Sequence, residues 1–304
     1  MPGPESEEKK VPDNCVKYDI CPPKKDTFQK YEDGANKGKK ILPKLKATAI
    51  SKSGEKIEKS IIVEDKVDCV TYHIYWNTET EGKIEKHIPK EITKGYENKY
   101  QYIYHDKENN EYKLGIYSAT KIKNNYIRAD GKYSKEPNIY LINLNDVVQN
   151  YSKNNLKYRF NVDSKERSFM NRDTLASFFG ALLDAQYEDI SCNGFSKKDG
   201  SSSPSVSHLN GYHGDFKYLR KDKTLQKGDG TSLNIRYNPE LLDVDRQNKW
   251  IDLLTKYGWT SFLGWSYKLN GQTYYLHKIY KNTPNHDHHL HVQNYKMNFI
   301  KEIK

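Results

Sequence analysis

The histidines of this chain are concentrated in two short windows that lie far apart in the sequence. Six of the ten fall within residues 207–215 (SHLNGYHGD) and 286–291 (HDHHLH). Imidazole is a common metal ligand and the side chain best suited to proton transfer near neutral pH. If both windows serve one site, the fold must bring two distant segments to the same point. This requirement constrains the fold more than any other feature of the sequence.

The second window predicts a strand that carries histidines on one face. Side chains alternate between the two faces of a strand, so His289 and His291 share one face while Leu290 and Val292 point to the core. A metal-scavenging histidine tract is the alternative, but it would not need these two apolar anchors.

In the first window, two glycines permit a tight turn between a histidine and a carboxylate. Gly211 and Gly214 tolerate backbone conformations that other residues avoid, and Asp215 begins the alternating run 216–219. A turn that enters a strand would bring His208 and Asp215 together. The alternative is a surface loop with incidental histidines.

His208, Asp215 and His291 form a candidate ligand set for one zinc ion. Three ligands leave the fourth tetrahedral position open, whereas structural zinc sites are usually closed by four ligands. The set therefore predicts catalysis, with zinc polarising a carbonyl and activating water. His289 is the predicted catalytic base. His286 is either a second proton-transfer group or a replacement for one of the three ligands.

The order of these residues resembles a known enzyme family. A histidine, a glycine three residues later and an aspartate seven residues later are followed far downstream by His-x-x-His-x-His. This arrangement resembles the penicillin-insensitive murein endopeptidases of the LAS group of zinc metallopeptidases, over residues 165–297. The resemblance implies a small antiparallel sheet flanked by helices, of the LAS/hedgehog-like type. It also implies zinc ligation by His208, Asp215 and His291, and active-site roles for His286 and His289.

Two positions depart from the family pattern. His213 stands where a small residue is expected, so it could crowd the metal or bind substrate. His288 stands where some relatives have a carboxylate base, which favours the endopeptidase branch. Tyr212 and Lys217 are further candidates for substrate contacts, as a groove wall and as a partner for a substrate carboxylate. Core packing is the alternative for the tyrosine, and a plain basic surface is the alternative for the lysine.

Composition divides the chain into three parts. Residues 1–40 are rich in Lys, Glu, Pro and Gly and are predicted to be a flexible leader. Residues 41–155 contain short β-branched and aromatic runs and are predicted to be a β-rich binding or docking domain. Residues 156–304 add two amphipathic helical patterns and are predicted to be the zinc peptidase domain. The predicted fold class is α+β, and tyrosine is expected to build much of the core.

The net charge of +10 predicts attraction to a polyanion. The sequence lacks the motifs of nucleic-acid-binding folds, so we expect no nucleic acid as a partner. The family resemblance implies peptidoglycan as the partner. The sequence also lacks an apolar run long enough for membrane insertion. The first ten residues do not have the basic and apolar regions of a Sec signal. We therefore expect export from the cytoplasm by another route, with action in the periplasm or at the cell wall.

Two classes of function follow from these features. The leading hypothesis is a zinc-dependent peptidoglycan endopeptidase that hydrolyses an amide bond in cell-wall peptide crosslinks. Such an enzyme could be an exported antibacterial effector, with an immunity protein or a secretion apparatus as partner. The alternative is a non-catalytic zinc-containing module that binds the cell wall or a partner protein.

Overall fold

The computed structural model describes residues 67–126 and 135–304, together with the backbone of three strands nearer the N-terminus. The chain divides into two compact units, Met1–Val67 and Asp68–Lys304. In the first unit, the three strands form an antiparallel sheet with the second strand in the middle. They are β1 (Lys17–Ile20), β2 (Lys44–Ile50) and β3 (Lys56–Ile62). Apart from β1, the predicted leader, 1–40, lies outside the described residues.

The second unit contains two large sheets and two α-helices within its described residues. Its strands are β4 (Val70–Trp76), β5 (Gly82–His87), β6 (Lys99–His105), β7 (Glu111–Lys123), β8 (Asn138–Asn143), β9 (Asn150–Lys153), β10 (Leu156–Val162), β11 (Phe169–Asn171), β12 (Ile190–Gly194), β13 (Gly214–Phe216), β14 (Trp259–Leu263), β15 (Tyr267–Leu269), β16 (Gln272–Tyr274), β17 (Leu290–Tyr295) and β18 (Lys301–Ile303). The helices are α1 (Arg172–Ala185) and α2 (Val244–Lys256). Single 3-10 turns occur at Leu144–Asp146, Leu209–Gly211 and Pro239–Leu241.

The strand order places the N-terminal strands of this unit in one sheet and most of the C-terminal strands in another. Seven strands form a large curled sheet in the order β11, β8, β7, β6, β4, β5 and β18. Six strands form the second sheet in the order β14, β17, β13, β12, β10 and β9. Strands β15 and β16 pair only with each other.

Helix α1 lies between the two large sheets and is buried on almost every side. Phe179 packs edge-on against Tyr102 of the seven-stranded sheet, with ring centroids 5.3 Å apart. The neighbouring Phe178 packs edge-on against Phe160 of the six-stranded sheet at 5.2 Å. A helix that is apolar all round belongs in a core, whereas a surface helix has one apolar stripe. Helix α1 is therefore the central element of this unit.

Tyrosine hydroxyls link the seven-stranded sheet to this helix. Tyr102 Oη donates to the carbonyl of Arg172 at 3.0 Å, and Tyr104 Oη donates to the carboxylate of Asp184 at 2.6 Å. Such bonds satisfy hydroxyls that would otherwise be buried without a partner. The prediction that tyrosine builds much of the core is confirmed. The buried tyrosines include Tyr72, Tyr100, Tyr102, Tyr104, Tyr112, Tyr117 and Tyr158.

The predicted fold class, α+β with a small antiparallel sheet flanked by helices, is wrong. Strands account for 37% of the described residues and helices for 16%. The prediction fails because of the position of α1. The strands of residues 70–143 cover one side of this helix and do not form a separate domain. A domain boundary was predicted after residue 155, whereas residues 68–304 form one compact unit.

Local sequence signals account for several element boundaries. Helix α2 begins after Asp243, whose side chain accepts a hydrogen bond from the amide of Arg246. Gly258, with a φ of +106°, follows the end of this helix. The turn at Asn270 and Gly271 joins β15 to β16. Neither described helix combines the length and the apolar character needed to cross a membrane.

Candidate metal centre

Two neighbouring strands of the six-stranded sheet hold two of the predicted ligands side by side. Strands β13 and β17 are antiparallel, and their register places Asp215 directly opposite His291. Residues opposite each other in such a pair project to the same face of the sheet. The next residue pair, Phe216 and Leu290, is 1% and 0% exposed and anchors the opposite face in the core. The register therefore brings a carboxylate and an imidazole together.

His208 reaches the same point from the loop that precedes β13. Its Nδ1 donates to the carbonyl oxygen of Phe195 at 3.2 Å, which leaves Nε2 facing Asp215 and His291. A metal-binding histidine usually donates its other ring nitrogen to a carbonyl or a carboxylate, which fixes the tautomer and the ring orientation. His208 has this support.

Both glycines of the first window are required, Gly211 by its backbone conformation and Gly214 by the packing around it. Gly211 has a φ of +70°, and a Cβ there would lie 2.5 Å from the amide nitrogen of Asn171. At Gly214, a Cβ would lie 2.2 Å from the Phe195 ring. Phe195 thus packs against β13 with its ring and orients His208 with its carbonyl. The role of Phe195 could not be predicted, because nothing in its sequence context marks it.

The three candidate ligand atoms lie close together. His208 Nε2 is 3.1 Å from both Asp215 Oδ1 and His291 Nδ1, and the last two atoms are 2.8 Å apart. Two donors bound to one tetrahedral zinc at about 2.0–2.1 Å are about 3.3 Å apart, so a small expansion would admit an ion. The residues are buried, with 0%, 9% and 3% of their surface exposed for His208, Asp215 and His291. The group could hold a metal ion.

The charges at this point favour an ionised carboxylate. Burial disfavours the charge on Asp215, but the His208 imidazole and hydrogen bonds from His208 and His291 outweigh burial. The pKa of Asp215 therefore lies well below its usual value. A carboxylate that stays ionised beside two imidazole nitrogens is a donor set that suits a divalent cation.

The two predicted proton-transfer histidines lie beside the candidate ligands. His289 Nε2 is 3.5 Å from Asp215 Oδ1, and the His286 ring is 4.7 Å from the His289 ring and 5.7 Å from the His291 ring. Burial lowers the pKa of His289 to about 4, although the Asp215 carboxylate opposes this shift. His289 Nδ1 has no hydrogen-bond partner within the described ranges. At neutral pH this imidazole is uncharged and has a nitrogen able to accept a proton.

All three predicted substrate contacts are almost fully buried. Tyr212 is 3% exposed, and its carbonyl accepts a hydrogen bond from Trp259 Nε1 at 3.0 Å. His213 is 2% exposed, and its Nδ1 donates to the carbonyl of Ser207 at 2.6 Å. Its Nε2 accepts from the amide of Asn294 at 3.3 Å. These contacts tie the first histidine window to the end of β17.

Lys217, the third predicted contact, is 2% exposed. Its ammonium group forms an ion pair with Asp163. It also donates to the Gly228 carbonyl at 2.8 Å and to Thr231 Oγ1 at 2.7 Å. These bonds commit the ammonium group to protein partners and hold the loop of residues 226–231 against β13.

A cavity of about 730 Å³ opens beside the candidate ligands, and Asp215 and His289 line it. Its wall is polar, with Asn193 among its residues, and carries both signs of charge, including Arg167 and Asp229. This volume lies within the range of about 300–1,000 Å³ that is typical of ligand pockets. The part of the wall formed by residues 163–167 could not be predicted, because a polar run after a strand has no distinctive spacing.

No protein-family model, curated protein or solved structure that was compared with this chain matches it.

Proposed function

We propose that the chain is a zinc-dependent hydrolase that cleaves an amide bond in the peptide crosslinks of peptidoglycan. The observation that carries this proposal is the convergence of His208 Nε2, Asp215 Oδ1 and His291 Nδ1 at separations of 2.8–3.1 Å beside a polar cavity. Three ligands leave a tetrahedral ion one position for water or substrate, which is the pattern of catalytic zinc.

The residues around the candidate ligands have separate roles in the proposed reaction. Zinc, when bound, supplies a Lewis acid that polarises a carbonyl and lowers the pKa of water. His289, uncharged at neutral pH, accepts a proton and returns it to the leaving amine. His286, whose ring is 4.7 Å from that of His289, passes protons to solvent. Asp215 stays ionised, and Phe195 holds His208 in the ligating tautomer through the 3.2 Å hydrogen bond.

Two features support cell-wall peptide as the substrate class. The cavity presents both positive and negative side chains, among them Arg167 and Asp229, and muropeptides carry both carboxylates and amines. The net charge of +10 favours binding to an anionic wall. As an exported antibacterial effector, the protein would act in the periplasm or at the wall, with an immunity protein or a secretion apparatus as partner.

The test combines metal analysis with digestion of purified sacculi. The full chain is incubated with sacculi, and the released muropeptides are identified by mass spectrometry. We expect wild type to release cleaved crosslink peptides, and we expect His208→Ala and His291→Ala each to lose one equivalent of zinc and this release. A cooperative thermal melt in each variant shows that the loss is not due to unfolding.

The matched control is His277→Gln. His277 is an exposed histidine that pairs with Asp252 at 2.9 Å, away from the candidate ligands. This variant should retain both zinc and activity. Full muropeptide release by His291→Ala would overturn the proposed role of the site. A wild-type protein that binds zinc but releases nothing from sacculi would favour the non-catalytic module.

A further inference from the structure

A second group of histidines lies on the seven-stranded sheet. His73 on β4, His87 on β5 and His105 on β6 belong to three adjacent strands. The register places His73 opposite Glu85, and His105 opposite Tyr75. Residues 72 and 102, which contact the helix α1 side, alternate with these positions, so the three histidines project to the other face of the sheet.

The distances between these rings are those of a cluster. His73 Nδ1 lies 2.9 Å from His105 Nε2, and the ring centroids of His73 and His87 are 4.5 Å apart. Two nitrogens bound to one tetrahedral ion lie about 3.3 Å apart, so the first pair is already near the separation of two ligands. The third ring, His87, has 42% of its side chain exposed, and its Nε2 lies 3.2 Å from Glu85 Oε2.

The ring nitrogen of His105 that faces His73, Nε2, is the candidate ligand atom. His105 is 5% exposed, and its other ring nitrogen, Nδ1, has no hydrogen-bond partner in the described part of the chain. Nδ1 would carry the proton when Nε2 binds a metal ion. The Tyr75 ring stacks on His105 with centroids 4.3 Å apart and fixes the orientation of the imidazole.

The side chains of the cluster suit ligation. Imidazole is the commonest metal ligand among protein side chains. A carboxylate is present as well, because Glu85 Oε2 lies 3.2 Å from His87 Nε2.

We propose that His73, His87 and His105 form a second metal site, which binds a divalent transition metal ion on the outer face of the seven-stranded sheet, with Glu85 beside it. The donor set is three imidazoles and a carboxylate without a thiolate, which suits Zn²⁺ and Cu²⁺. Because the cluster is built from strands β4, β5 and β6, this site is independent of the ligands on β13 and β17.

The experiment counts bound zinc in the full chain after the first site has been removed. The chain carrying His291→Ala is made metal-free and dialysed against micromolar free zinc. We expect it to retain about one equivalent of zinc, as a single three-imidazole site would. Adding His73→Gln and His87→Gln should weaken this binding by about 10–100-fold or more, since even the loss of outer-shell partners has an effect of this size.

The control adds His277→Gln to the same background, which should leave the zinc content unchanged. Equal zinc content with and without the His73 and His87 substitutions would overturn the proposal, whatever the activity of the wild-type protein.

A second measurement needs no substitution and covers the case in which the triple variant does not fold. In the wild-type chain, diethyl pyrocarbonate should modify the half-exposed His87, and zinc should protect it, as read by mass spectrometry. Equal modification of His87 with and without zinc would also overturn the proposal.

Discussion

The two histidine clusters of this molecule differ in the residue that each places at its centre. In the first, Asp215 lies within 3.1 Å of both candidate imidazole ligands. In the second, His73 and His105 contact each other directly at 2.9 Å, and the carboxylate of Glu85 contacts only His87 among the three. The first cluster therefore places the negative charge of a carboxylate next to a bound cation. The second cluster would bind a cation mainly through neutral imidazole rings.

The two clusters should therefore differ in how tightly they hold a metal ion. A buried carboxylate that stays ionised offsets the charge of a divalent ion and supports a tightly held centre. Neutral imidazoles on an outer sheet face bind a metal ion less firmly and release it when they become protonated. The first cluster also opens on a cavity of about 730 Å³ that could hold a substrate.

The largest expected effect is a loss of activity on removal of a candidate ligand from the first cluster. His291→Ala should reduce muropeptide release by about 10³-fold or more, since the metal would supply most of the chemistry. Zinc content and initial rates on sacculi measure the effect. If this variant loses zinc but keeps its activity, the hydrolysis does not depend on the first cluster, and the proposed difference between the two clusters is wrong.

His289→Ala sharpens the comparison within the first cluster. Proton transfer by a positioned side chain contributes about 10²–10⁴-fold to the rate, so kcat should fall by about that factor. Zinc content should not change, because His289 is not among the three candidate ligands. Loss of zinc in this variant would instead place His289 in the ligand set.

Gly214→Ala tests whether the first cluster depends on the packing behind it. The new Cβ would lie 2.2 Å from the Phe195 ring, and overpacking of this kind costs about 1–3 kcal/mol. We expect a lower melting temperature and weaker zinc binding, since Phe195 also orients His208. Gly95→Ala is the matched control, because Gly95 has a positive φ but open space around it and tests backbone strain alone.

The smallest expected effect is the response of the second cluster to acid. The pKa of His73 falls from 6.5 to about 4 in the folded chain, so the unfolded chain binds a proton first as the pH drops. Stability is therefore present above pH 6.5 and is lost as the pH falls toward 4. The groups that face His73 include His87, His105, Glu85 and Glu111.

Urea unfolding of metal-free protein at pH 7 and pH 5 measures this response. His73→Gln should reduce the loss of unfolding free energy between these pH values by about 1 kcal/mol, after a discount for solvent screening at a half-buried group. An unchanged loss would show that the second cluster does not titrate as a buried group.

The sequence contained enough information to group the first cluster but not the second. Strand alternation around His291 and the glycine turn before Asp215 are local patterns, and the structure brings His208, Asp215 and His291 together. The grouping of His73 with His105 depends on the parallel pairing of β4 with β6. Periodicity does not encode such a pairing, so the sequence alone gives no reason to group these histidines.

The fold class could not be derived from the sequence for a related reason. The apolar positions of α1 fit a helix with one buried stripe, including Phe178 and Phe179. Most of the remaining positions carry small residues such as Ala176 and Ala181. Small side chains do not reveal whether a second sheet covers them. The individual strands and the hairpin at 270–271 were predictable because their signals are local.

The position of helix α1 between two sheets has a consequence for how this protein can be divided. Phe179 contacts Tyr102 and Tyr117 on one side and Tyr158 on the other, so a fragment that starts at residue 156 would expose the first of these surfaces to water. A fragment of residues 156–304 alone would contain both histidine windows but would lack one side of the core that supports them. A shortened chain that is to keep the candidate metal centre must therefore retain residues 68–155, which form half of the interior around this helix.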